Sequence, residues 1–193
     1  ARRSPLYAVL KSAGAVYGSK FGWERPNWFA PPGTPAVDAP SFERGPAFAA
    51  IGTEHQAVRE RVALIDMSSF SKYELRGVGA LALLQKLACN DVDRPVGSIV
   101  YTQLCNERGG IEADVTITRL AADRFYFVTG SALGVRDRAT LERQLPADGS
   151  VAIVDHTSAK AVLNLCGPRS REVLAQLTAA PLDNAGFPYM SAR

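Results

Sequence analysis

Asn106-Glu107-Arg108-Gly109-Gly110, followed by Ile111-Glu112-Ala113-Asp114-Val115-Thr116-Ile117, carries the most specific chemistry in the chain. The run reads as a hairpin tip and a strand. Ile111, Ala113, Val115 and Ile117 share one face at period two, and Glu112, Asp114, Thr116 and Thr118 share the other. Aspartate is depleted in strands, so Asp114 calls for a reason. A carboxylate fixed on a rigid strand beside a hairpin is how a site would hold an acid/base group. The plain alternative places Asp114 on the water-facing side of a half-exposed antiparallel sheet. Gly109-Gly110 serves the turn, and it would also let backbone approach a flat ligand.

Other reactive-looking runs are weaker. Gly77-Val78-Gly79-Ala80 after a strand invites a dinucleotide reading, but Ala82 takes the place of the third glycine, and no acidic residue follows on a second strand. A strand–turn–helix accounts for it. Asp155-His156-Thr157-Ser158 has triad residue types side by side without a nucleophile elbow. His55, the other of the two histidines, falls on a polar helix face, and no metal-binding set emerges. Cys89, Cys105 and Cys166 are widely spaced and odd in number. They argue against a disulfide framework or zinc site, fit a reducing compartment, and read as small buried apolar residues.

Composition sets the frame for these residues. With 193 residues, 47% hydrophobic and 21% charged, the chain can bury a core without staples. A net charge of +3 with no basic run or RNA-binding motif argues against nucleic acid, and no stretch is apolar enough for a membrane span. The first 20 residues are basic (Arg2, Arg3, Lys11, Lys20), but a secretory apolar region is missing. The chain begins at Ala1 and stops after Phe187-Pro188-Tyr189-Met190-Ser191-Ala192-Arg193 without a closing element, which reads as an internal fragment.

The elements that must position Asp114 follow from pattern. Both tryptophans, Trp23 and Trp28, lie in an opening arm that should rest against something apolar. The Pro- and Gly-rich residues 30–48 mark a domain seam. Thr53-Glu54-His55-Gln56 is a capping-box pattern that predicts a helix to about Ala63. Strands are expected near Phe70–Arg76, Ser98–Cys105, Ile111–Arg119, Arg124–Thr129, Val151–Asp155 and Ala161–Leu165. Helices are expected at Ala80–Ala88, from Ser131 as cap to Gln144, and from Gly167-Pro168 to about Leu177. Short loops between successive strands force antiparallel pairing, so the class is α+β, with helices packed on one face of antiparallel sheets.

Several of these runs, in order, resemble the aminomethyltransferase (glycine-cleavage T-protein) family. They are Asp66-Met67-Ser68, Leu87-Ala88-Cys89-Asn90-Asp91-Val92, Tyr101-Thr102-Gln103-Leu104-Cys105-Asn106 after Gly97, and Gly109-Gly110-Ile111-x-x-Asp114. Phe125-Tyr126-Phe127-Val128-Thr129-Gly130-Ser131-Ala132 and Leu165-Cys166-Gly167-Pro168 continue the series, and the resemblance spans about residues 45–193. The opening runs Gly14-Ala15-Val16-Tyr17-Gly18 and Gly22-Trp23-Glu24-Arg25-Pro26-Asn27-Trp28-Phe29 resemble the segment joining the flavin and folate halves of dimethylglycine/sarcosine dehydrogenase-type enzymes.

The resemblance implies residues 1–48 as a connector arm from a missing FAD domain, and 49–193 as the N-terminal portion of an aminomethyltransferase-type folate-binding domain, truncated at its C-terminus. It implies that an iminium derived from a small N-methyl amine is captured on tetrahydrofolate, giving 5,10-methylenetetrahydrofolate. FAD would act only in the upstream domain. Asp114 takes the place of the family's essential aspartate near folate N10, where it could accept a proton and stabilise a cation. Phe70, Tyr101 and Val128 match pterin-lining positions. Gly130 stands where simple T-proteins carry a polar amide, and Ser131 next to it could supply a polar contact. The family completes its folate tunnel with residues further along, so this chain by itself is expected to bind folate poorly. The implied compartment is bacterial cytoplasm or mitochondrial matrix. The alternatives are a free-standing glycine-cleavage aminomethyltransferase, a non-catalytic folate-binding protein of the same fold, and an interface module docking to a flavin domain.

Overall fold

The computed structural model describes all 193 residues. In chain order the elements are α1 (Tyr7–Ser12), β1 (Ala15–Lys20), β2 (Trp23–Phe29), α2 (Ala47–Glu60) and β3 (Ala63–Asp66). Then come β4 (Ser71–Arg76), α3 (Ala80–Leu87), β5 (Ile99–Cys105), β6 (Ile111–Ala121), β7 (Arg124–Thr129) and α4 (Gly134–Arg143). β8 (Ala152–Asp155), β9 (Leu163–Cys166) and α5 (Ser170–Leu174) close the order. Two compact units result: Ala1–Ser69 with Ala161–Ala180, and Phe70–Lys160 with Pro181–Arg193.

In the first unit, β1 and β2 form an antiparallel hairpin whose turn uses Phe21 and Gly22, both at positive φ. The tryptophans find their apolar surface here. Trp28 is 2% exposed and clusters with Val16 and with Ala50 of α2, and Trp23 is also buried. Helix α2 starts at Ala47, six residues before the capping-box pattern. Thr53 therefore lies inside the helix, donating its hydroxyl to the Ala49 carbonyl, while the Glu54 carboxylate accepts from the Phe29 amide. The capping-box reading fails because Ala47-Phe48-Ala49-Ala50 already propagates helix upstream. His55 stands mid-helix rather than in a first turn, and it is exposed. Strand β3 pairs with β9, so residues as far apart as Ala63 and Cys166 build this small sheet. β9 begins two residues later than the predicted Ala161, and α5 spans only Ser170–Leu174.

In the second unit, five antiparallel strands run in the order β5-β6-β7-β4-β8. One face is the core. Tyr73 and Leu75 of β4, Leu104 of β5, Ala113, Val115 and Ile117 of β6, and Phe125 and Phe127 of β7 are buried on it. α3 and α4 pack against this sheet, contributing Ala80, Leu83, Leu84 and Leu141. The Ala/Leu-rich sequence of α3 gives high helix propensity with one apolar stripe. α4 begins at Gly134 with Leu133 at the N-cap position and no side-chain cap, so the predicted Ser131 cap is not used. A Cβ on Gly134 would run into the Ser71 side chain, and the Tyr73 hydroxyl donates to the Gly134 carbonyl at 2.9 Å. That close approach sets where the helix meets β4. The final residues are tied to the sheet: the Ile99 amide donates to the Met190 carbonyl and the Ala192 amide to the Gly97 carbonyl.

The Gly77-Val78-Gly79 turn is explained by packing. Gly77 has φ +124°, and a Cβ there would sit 2.1 Å from the Ser150 carbonyl oxygen. Gly77→Ala is expected to destabilise this unit by on the order of 3 kcal/mol, combining backbone strain and overpacking. Gly109→Ala, at φ +78° but facing open space, should cost only about 1 kcal/mol. Urea denaturation of both variants checks this, and equal losses would rule out the close approach as the cause.

Candidate active site

The five-stranded sheet turns its second face away from the α3/α4 core. Directly opposed residues in antiparallel strands share a face, so Tyr101, Thr116, Val128 and Lys72 form one row across β5, β6, β7 and β4. Asp114 lies two residues along β6 from Thr116, opposite Gln103 and diagonal to Tyr101. The Tyr101 hydroxyl donates to Asp114 Oδ2 at 3.0 Å. Asp114 is exposed and Tyr101 is 51% exposed, so this pair presents an oriented carboxylate and an aromatic ring to solvent. The alternation read from sequence holds through Ala113, Val115 and Ile117, which are buried, while Ile111 at the strand's start is exposed.

The remaining expected residues collect at one end of the β4–β7 pair. Ser71 opposes Thr129. Phe70 and Gly130, the next residue on each side, are both half-buried, and Ser131 follows. A Cβ added to Gly130 meets nothing within 4 Å, so space stands open there. Tyr101 also lines a shallow groove of about 390 Å³ with Asn90, Asp91, Arg94, Ile99 and Met190. Asp114, Val128, Phe70, Gly130 and Ser131 are not among that groove's walls.

The hairpin tip is held by its own atoms. Asn106 Oδ1 accepts from the Arg108 and Gly110 amides at 3.0 and 2.9 Å, and Asn106 Nδ2 donates to Glu112 at 2.8 Å. Gly109 supplies the positive φ. Turn chemistry therefore accounts for both glycines.

Sequence reasoning missed a buried charge cluster in the neighbouring row. Glu74 of β4, with its side chain 2% exposed, accepts from Arg76 Nε at 2.8 Å and Arg124 Nε at 2.7 Å, and lies 3.0 Å from His156 Nε2. The Arg76 hydrogen bonds, followed by those of Arg124 and His156, overcome burial and hold the Glu74 carboxyl down at about 2. This is the role of His156, whose sequence neighbours suggested a triad. Lys72, in the Tyr101 row, is also fully buried. The strand expected near Phe70–Arg76 carried no signal that Lys72 and Glu74 would be buried.

The sequence profile of the GCVT N-terminal domain matches residues 6–193. The chain belongs to this family. The GCVT match reaches into the opening arm, and the fold is that of an aminomethyltransferase. The crystal structure of glycine cleavage system aminomethyltransferase T from Bartonella henselae superposes with a TM-score of 0.78 at 28% identity, covering 98% of this chain and 46% of that one.

Among curated relatives, the pyruvate dehydrogenase phosphatase regulatory subunit, mitochondrial, of Mus musculus is 40% identical over 98% of this chain and 22% of its own length. The 4-methylaminobutanoate oxidase (formaldehyde-forming) of Paenarthrobacter nicotinovorans is 41% identical over 92% and 21%. Dimethylglycine dehydrogenase, mitochondrial, of Rattus norvegicus is 32% identical over 100% and 22%. The GCVT domain described here thus spans about a fifth of the length of these relatives. No helix in it is long and apolar enough to cross a membrane.

Proposed function

We propose that this domain captures a one-carbon unit on tetrahydrofolate, giving 5,10-methylenetetrahydrofolate, within a longer protein that oxidises an N-methyl amine. The observation that carries the reading is the Asp114 carboxylate, held by the Tyr101 hydroxyl on the open sheet face of a GCVT domain. The residues present fit a reduced pterin. The half-exposed Tyr101 ring offers a stacking surface, Val128 an apolar contact, and the open space over Gly130 room for a flat group. A bound reduced folate supplies the nucleophilic nitrogen. Asp114 accepts the proton released there, and its charge stabilises positive charge developing on the one-carbon unit. Tyr101 orients the carboxylate, so little reorganisation is needed.

On this reading residues 1–48 lead from an upstream FAD domain and 49–193 begin the folate part. The amine is chosen in the flavin half, and the compartment is bacterial cytoplasm or mitochondrial matrix; a bacterial relative and a relative named mitochondrial support the reading. Tetrahydrofolate titration by calorimetry tests it. A protein extended beyond Arg193 is expected to bind at least tenfold more tightly than residues 1–193, and Tyr101→Ala in the longer protein to weaken binding about tenfold. Absence of binding by the longer protein would overturn the assignment.

A second reading rests on the regulatory subunit, which is 40% identical over nearly the whole chain. On that reading the sheet face of this chain binds a folate-like ligand without turnover. Folate binding with no product in the presence of amine and flavin domain would favour it.

A further inference from the structure

We propose that Cys89 and Cys105 form a thiol pair that closes to a reversible disulfide when a peroxide oxidant reaches it. The sequence reading made both cysteines buried apolar residues, but both are exposed, and their sulfurs stand 3.2 Å apart. The fold brings them together. Cys89 is the second residue after α3, where an isolated bridge pairs Ala88 with Leu104 and the Cys89 amide donates to the Gln103 carbonyl at 3.0 Å. Cys105 ends β5 at a register irregularity between Leu104 and Cys105, and such irregularities re-aim side chains. Bond formation requires the sulfurs to approach by roughly 1 Å to the disulfide distance, a movement side-chain rotation can supply. Cys166 belongs to the other compact unit.

The chemistry balances with hydrogen peroxide as oxidant. One thiolate attacks a peroxide oxygen, the O–O bond breaks, hydroxide leaves and takes up a proton as water, and a sulfenic acid forms. The second thiol then attacks that sulfur, its proton leaves with the displaced hydroxide as water, and the S–S bond closes. Two thiols and one peroxide give one disulfide and two waters. A dithiol reductant reverses the step by exchange. Hydrogen bonding to Cys89, with smaller contributions from desolvation and from the charges of Cys89 and Glu112, pushes the Cys105 thiol above its ordinary range. Because the thiolate is the reacting species, closure is slow at neutral pH and accelerates as pH rises.

The consequence is local. Asn90, Asp91 and Arg94, on the segment after Cys89, wall the groove that Tyr101 also lines. The Asn90 amide already donates to Thr102 Oγ1 at 2.9 Å. The disulfide would add a covalent tie between this segment and the strand carrying Tyr101. The inference stands on the thiol geometry and does not rest on the folate reading.

The test is treatment of the chain with hydrogen peroxide, alkylation of remaining thiols, and peptide mapping by mass spectrometry. The expected result is a loss of about 2 Da, a Cys89–Cys105 linked peptide, an alkylated Cys166, and reversal by dithiothreitol. The closure rate should rise about tenfold or more between pH 7 and 9. Cys166→Ser should retain the linked peptide and Cys105→Ser should lose it. Cys89 and Cys105 that remain as alkylatable as Cys166, or that link only between chains, would overturn the proposal.

Discussion

On the proposed function, Asp114→Asn in the full-length protein is expected to lower formation of 5,10-methylenetetrahydrofolate by about 10²–10⁴-fold while amine oxidation continues, with the one-carbon unit released as free formaldehyde. The size follows from the chemistry removed. Asparagine has nearly the shape of aspartate and still offers an oxygen to the Tyr101 hydroxyl, so the 3.0 Å contact can persist. What it lacks is the negative charge and the ability to take a proton. Being exposed, residue 114 bears no packing load, so stability should change by under about 0.5 kcal/mol. Measuring flavin reduction, formaldehyde and methylenetetrahydrofolate side by side separates the outcomes. Unchanged capture of the one-carbon unit by the variant would remove the mechanism assigned to this carboxylate. Tyr101→Phe serves as a graded control, since it deletes only the orienting hydroxyl and should give a smaller loss.

Acid exposes the second large effect. Glu74 is held at about 2 in the folded protein, below an ordinary value of 4.5. A depressed carboxyl stabilises the fold where it is ionised in both states. Its contribution is therefore fully present above about pH 4.5 and is lost as pH falls towards 2. The shift corresponds to about 3 kcal/mol as an upper figure, because the Arg76 and Arg124 side chains are 46% and 47% exposed and share their charge with water. In Glu74→Gln this acid-dependent loss should vanish, and the variant should be less stable than the parent at pH 7, since a buried centre flanked by two guanidiniums loses its counter-charge. Denaturant titrations of both proteins from pH 7 to 2 provide the check. Parallel pH dependences in parent and variant would show that Glu74 is not the group responsible.

The parts of the fold legible in sequence were those set by local pattern. β5, β6 and β7 are joined by short loops, and their alternation carries through to the burial of Ala113, Val115, Ile117, Phe125 and Phe127. The β7 range Arg124–Thr129 was read with its observed ends, and α3 within one residue. What escaped was set at a distance. β3 is four residues long and gains its identity only from β9, so no periodicity could declare it. The β1–β2 hairpin was hidden by Pro26 within a strand and by the irregularity between Val16 and Tyr17. The start of α2 was misplaced because a capping-box pattern can occur inside a helix when its side chains have other partners.

The candidate site divides the same way. Asp114 stood out through its residue type at its position on the strand. Phe70, Tyr101, Val128, Gly130 and Ser131 entered through family resemblance; the structure places Tyr101 and Val128 in one row across the sheet and Phe70, Gly130 and Ser131 beside one end of the β4–β7 pair. Burial of Lys72 and Glu74 is a tertiary outcome on β4, the strand between β7 and β8, which no local window reports. The meeting of Cys89 and Cys105 depends on how α3 exits beside the end of β5.

The hydrogen bonds between residues 190–192 and the start of β5 bear on what the margin of the five-stranded sheet leaves unpaired. An open sheet can recruit strands from other copies through its unpaired margins. Here one margin, β5, is partly occupied by residues 190–192, with Ser191 bridged to Ser98. The other, β8, offers only four residues, too short a template for stable growth. Residues 190–192 thus cover part of one margin and the shortness of β8 limits the other, so neither margin offers a long free template for a further strand.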